Sequence, residues 1–107
     1  MISSQKLTDE LIEPYFTAWS ILQGRIRDSH HSRDGRSEAP MREGIWLFQQ
    51  LLGHCEGLAA PLNVGERLAW IEQQPSKFAA FRQLDELFTE MKKAISSKRI
   101  QSKRSGE

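Results

Sequence analysis

A few groups of side chains in these 107 residues have the types and spacing to do chemistry. His30 and His31, flanked by Asp28 and Asp34, offer the nitrogen and oxygen donors that a zinc-type ion prefers. Neighbouring residues on a helix diverge by about 100°, so an adjacent pair closes poorly on one ion. Gly35 and the polar residues around it mark this stretch as a solvated connection. His54 and Cys55 offer a base and a nucleophile. Cys55, however, falls on an apolar stripe with Phe48 and Leu52, and a thiol becomes reactive only in an electropositive, partly exposed setting. It is expected to pack. Asp85, Glu86 and Glu90 include an i,i+4 carboxylate pair, as in helical metal sites, but no Glu-x-x-His pattern accompanies them. A charged outer face is the expected role. No Gly-rich phosphate loop, Walker motif or Gly-x-Ser-x-Gly elbow occurs. The expectation is a protein without catalytic residues, metal or cofactor.

Cationic side chains are the remaining candidates. Arg67 sits beside Leu68 and Arg82 follows Phe81. Each is expected either to lie over the core edge and pair with an acid such as Glu66, Asp85 or Glu86, or to contact an anion or partner. The net charge of +1 conceals an asymmetry. From residue 92 onward, Lys92, Lys93, Lys98, Arg99, Lys103 and Arg104 face one acid, Glu107, for a net +5, and the rest of the chain carries −4. Such an end attracts polyanions without reading sequence, and nucleic acid is a possible partner. It lacks the interleaved aromatics that stack on bases, so a solubilising terminus is the plainer reading.

The elements that position these groups follow from composition and periodicity. One valine, Val64, and few threonines favour helix over strand. A first helix is predicted from about Glu13 to Asp28, with Ile12, Tyr15, Phe16, Trp19, Leu22 and Ile26 on one face. Pro14 suits its first turn, and Thr8-Asp-Glu caps a short preceding turn. Ser37 and Pro40 open a second helix that runs to about Glu56 and stops at Gly57. Met41, Ile45, Phe48, Leu52 and Cys55 form its stripe, widened by Trp46, Leu47 and Leu51, which makes it the central helix. Asn63 and Glu66 resemble a capping box for a short third helix, Val64 to Gln73, with Val64, Leu68 and Ile71 inward. Gln74-Pro75 ends it. Ser76 then caps a fourth, whose stripe is Phe78, Phe81, Leu84, Phe88, Met91 and Ile95, with Leu87 beside it. Beyond Ser96 the polarity predicts fraying and disorder.

The expected architecture is therefore all-α: a compact four-helix bundle-like domain over residues 1–95, one helix short, with a flexible basic tail over 96–107. Trp19, Trp46, Phe48, Phe81, Leu84 and Phe88 are its predicted core. The single Cys55 excludes an internal disulfide. No apolar run suits a signal peptide or a membrane span, so a cytoplasmic protein with no membrane partner is expected.

The order Pro61-x-Asn63-Val64-x-Glu66-Arg67-Leu68-x-x-Ile71, followed by Pro75-x-x-Phe78-x-x-Phe81-x-Gln83-Leu84-x-Glu86-Leu87-Phe88-x-Glu90, resembles the C-terminal signature of the YpoC-like family, small proteins of Bacillus-related Firmicutes. Pro40-Met41-Arg42 is similar as well, and the resemblance covers roughly residues 11 to 95. It implies a helical domain with no active site to carry over. Family members tend to be encoded near replication and repair functions and a cell-wall synthase. The leading functional expectation is a non-enzymatic interaction or adaptor module with an unknown protein partner. The alternative is a nucleic-acid-associated accessory protein that uses the basic tail.

Overall fold

The predicted stripes become four α-helices. The computed structural model describes residues 7–104, with side chains as far as Ile100. Helix α1 spans Asp9–Ser32, α2 Glu38–Cys55, α3 Val64–Gln73 and α4 Phe78–Arg104, and no strand occurs among the described residues. α1 lies mainly on α2 and α3 on α4, while α4 closes against both α1 and α2.

Helix ends depart from the sequence expectation where tertiary contacts outweigh local signals. α1 is longer at both ends. Thr8, in extended conformation, accepts the N–H groups of Leu11 and Ile12 at 3.1 and 3.0 Å, which places Asp9 and Glu10 in the first turn. Acids are favoured there by the helix dipole. Pro14 consequently lies inside the helix and not in its first turn. At the other end the helix carries on through His30 and His31 and closes at Arg33, which adopts a left-handed φ of 55°. His30–Ser32, the first part of the expected connection, are helical because Ser29 is buried and His30 lies against Phe78, while residues 33–37 form the connection itself.

Ser37 and Asn63 stand at the predicted N-cap positions of α2 and α3 without making a side-chain capping bond, and Ser76 is not a cap. Ser37 has helical backbone angles and no capping bond; its hydroxyl instead donates to the Ser76 carbonyl at 3.5 Å, tying α2 to the turn before α4. Asn63 is left-handed, φ 55°, and makes no side-chain capping bond, so no capping box is made with Glu66. Ser76 is not the start of α4: the Lys77 carbonyl accepts the N–H groups of Ala80 and Phe81 at 3.0 and 3.2 Å. Gly57 does stop α2, with φ 81° following Glu56 at 49°. Only glycine enters that region without steric cost.

α4 passes the predicted boundary at residue 95 and stays helical to Arg104. Ile95 is buried, and Arg99 donates from Nε to the Leu7 carbonyl and pairs with Asp9 at 2.9 Å. Two interactions thus hold the segment that polarity alone predicted to fray. Residues 105–107 of the predicted tail lie outside the described residues, as do the side chains of Lys103 and Arg104.

The core is aromatic and centred on Phe88. Trp19 stacks on it at 4.5 Å and 9°, and Phe48 meets it edge-on at 5.0 Å and 76°. Offset stacks and edge contacts suit the ring quadrupoles. Trp19 fits because Gly44 of α2 faces it: a Cβ there would stand 2.6 Å from the indole. Phe81 and Leu84 are buried as predicted. Trp46 is not in the core; it is 61% exposed. It follows Ile45, whose side chain is buried, and one residue is about 100° around the helix. Phe78, at the first position of α4, is also half-exposed.

Candidate functional site

The predicted chemical groups are placed individually. His30 lies edge-on to Phe78 at 5.2 Å, and its Nε2 is buried without a hydrogen-bond partner. Its neighbour His31 points to solvent. Asp34 belongs to a different arrangement. It accepts from the Ser29 hydroxyl and from the Arg36 N–H at 2.8 Å, and those bonds hold its carboxyl below the usual range. Among the described residues, no group of three His, Cys, Asp or Glu could hold a metal ion. Cys55 is fully buried, and desolvation pushes its thiol up, away from the thiolate. His54 turns instead toward Tyr15, 5.9 Å away.

The three carboxylates of α4 do not form one charged outer face. Asp85 accepts the indole N–H of Trp19 at 3.1 Å and the side-chain amide of Gln23. It is a structural acceptor at the core edge. Glu90 receives both Arg67 nitrogens at 2.8 Å, and this forked hydrogen bonding holds its carboxyl below the usual glutamate range. Bidentate geometry of this kind is the strong form of an ion pair. Arg67 also donates to the Leu62 carbonyl at 3.1 Å and lies 3.9 Å from Glu86, so it clamps the loop before α3 to α4. Glu86 is one of the acids expected to pair with Arg67, whereas Glu90, 23 residues along the chain, carries no local signal of the pairing. Arg82 is exposed.

The basic residues also separate. Arg99 is engaged with Leu7 and Asp9, and Lys92 lies 5.7 Å from the centre of the Phe16 ring. Lys93 is exposed and Lys98 half-buried. No helix among the described residues is long and apolar enough to cross a membrane.

What the structure does bring together is apolar surface. α1 carries a second line of apolar residues, Leu11, Pro14, Ala18 and Ile21, at steps of three, four and three, beside its buried stripe. Leu11 and Ile21 are 46% and 63% exposed. A shallow depression of about 650 Å³ lies along α1, lined by Pro14, Ala18 and Ile21 of this line together with Asp9, Glu10, Glu13 and Thr17. A second, about 310 Å³, lies between α1 and α2 and is lined by Ala18, Ile21, Leu22, Trp46 and Leu47. The two adjoin at Ala18 and Ile21, so the α1–α2 trough opens at one end onto the exposed face of α1. Arg25 and Glu43, 3.8 Å apart, bridge its far end. The signal was present in the sequence as two apolar lines on one helix, but only the stronger line stands out by periodicity. A smaller cleft of about 280 Å³, lined by Glu66, Arg67, Trp70 and Gln83, lies between α3 and α4.

No curated protein and no solved structure matches the chain. The family described as YpoC-like protein matches residues 9–103, from the start of α1 to the last turn of α4, and the chain belongs to that family.

Proposed function

We propose that this domain is a non-enzymatic protein-interaction module whose docking face is the α1–α2 trough. The observation that carries the reading is the pair Trp46 and Ile21, two large apolar side chains more than 60% exposed on the walls of one depression. Contiguous exposed apolar surface marks interaction sites, and tryptophan is among the residues most often responsible for binding energy at interfaces. Around it the chemistry is used internally: the thiol is buried, Arg67 is neutralised by Glu90, and Asp85 holds Trp19. Replacing Trp46 in cells by a photo-crosslinking phenylalanine analogue is the direct test. A discrete protein adduct, lost when Ile21→Asp is added, is the expected result; irradiation that yields no adduct overturns the reading.

A second reading, nucleic-acid association, is supported by the helical backbone that carries basic residues as far as Arg104. With Arg99 engaged, five cations remain. Full phosphate contact by all five would lower affinity by several hundredfold between about 50 and 200 mM salt. Binding that ignores salt over that range eliminates this reading.

A further inference from the structure

The trough is apolar along its floor and acidic at one end. The apolar residues of α1 that line it run from Pro14 to Ile21, about 10 Å at the helical rise. Beyond Pro14 stand Asp9, Glu10 and Glu13. Asp9 is paired with Arg99, while Glu10 and Glu13 are exposed and make no ion pair among the described residues. The opposite end is closed by the charge-neutral pair Arg25–Glu43. Every residue lining these depressions lies on an α-helix, α1 or α2, whose backbone N–H and C=O groups are paired internally. An extended peptide would therefore find no edge to bond with, whereas a helix satisfies its own backbone and offers only side chains.

We propose that the occupant of this trough is an amphipathic helix of about three turns from a partner protein. It carries apolar residues at i, i+3 or i+4 and i+7, and Lys or Arg in its last turn. The apolar anchors lie between Ile21 and Trp46, and the cations face Glu10 and Glu13. Cations at a helix C-terminus are favoured by its dipole, which sets the partner helix antiparallel to α1. The proposal rests on the trough being the docking face, and the experiment separates the two.

The probe is a displayed library of randomised helical peptides of about 14 residues, selected on the full chain, with the enriched peptides then titrated against variants. The expected peptides have the stated apolar spacing and a basic last turn. They lose about thirtyfold or more in affinity on Trp46→Ala, the loss typical of an interface anchor. They lose roughly five- to tenfold when Glu10→Lys and Glu13→Lys are combined, as two exposed ion pairs allow. Peptides that depend on Trp46 but are acidic, lack helical spacing or ignore the double reversal overturn the amphipathic basic helix alone. Selection that yields no Trp46-dependent peptide overturns the docking face and the proposal together. Sedimentation of the free chain supplies the remaining arm. A dimer abolished by Trp46→Ala makes the occupant a second copy and overturns the proposal, and a monomer supports it.

Discussion

Trp19 and Trp46 stand on facing helices and have opposite surroundings. Trp19 is 3% exposed, stacked on Phe88, bonded through its indole N–H to Asp85, and fitted against Gly44. Trp46, two positions after Gly44 and so about 200° further round α2, is 61% exposed on the wall of a trough. The difference is one of partners and not of residue type. A buried indole needs space for its ring and an acceptor for its N–H, and Gly44 and Asp85 provide both to Trp19. The same bundle that satisfies one tryptophan leaves the other as surface.

The contrast can be broken at graded points. Trp19→Ala is expected to cost about 3–5 kcal/mol in urea unfolding, the usual range for a large aromatic removed from a core. Gly44→Ala forces a methyl to 2.6 Å from Trp19 and 3.1 Å from Leu84. Overpacking of this kind costs about 1–3 kcal/mol and should appear as a lower denaturation midpoint with an unchanged slope. Asp85→Ala leaves the indole N–H without its acceptor and should cost roughly 1–2 kcal/mol, whereas Asp85→Asn, which keeps a carbonyl acceptor, recovers most of that.

The Arg67–Glu90 clamp, remote from both tryptophans, gives a smaller, pH-dependent effect. Glu90 is held below its ordinary pKa in the fold, so the unfolded chain binds its proton first as pH falls. The clamp's stabilisation is complete above the ordinary glutamate range and is lost as pH falls through the lowered folded value. Glu90 is partly solvated, so the contribution is under about 1 kcal/mol. A pH series of melting curves should show Glu90→Gln below the wild type at neutral pH and converging with it in acid. Equal separation at all pH values contradicts the assignment.

The comparison also shows how far the sequence could be read. Period-3.6 stripes identify all four helices and most of the core, because Ile12, Phe48, Leu84 and Met91 are buried simply by lying on the apolar face. Residues beside a stripe are less determined. Leu51 and Trp46 both widen the α2 stripe in the sequence, yet Leu51 is fully buried and Trp46 is not. Which side of α2 the neighbouring helices cover decides between them. Polar partners were the least legible. Asp85 with Trp19, Glu90 with Arg67, and Arg99 with Leu7 and Asp9 join positions 23 to 92 residues apart. Nothing local to any of these residues distinguishes an acceptor of a buried indole from an exposed charge. The turn after Ile95 escapes a local reading for the same reason: it reads as polar chain until Leu7 and Asp9 are brought to Arg99.

Thermal unfolding of Trp46→Ala beside the wild type tests most directly whether the α1–α2 face is free of any folding role. An exposed side chain away from caps and buried contacts changes stability by no more than about 0.5 kcal/mol, a shift of only a few degrees in a domain of this size. The two melting curves should nearly coincide. A loss of several kcal/mol would place Trp46 among the residues that hold the bundle together and contradict the account.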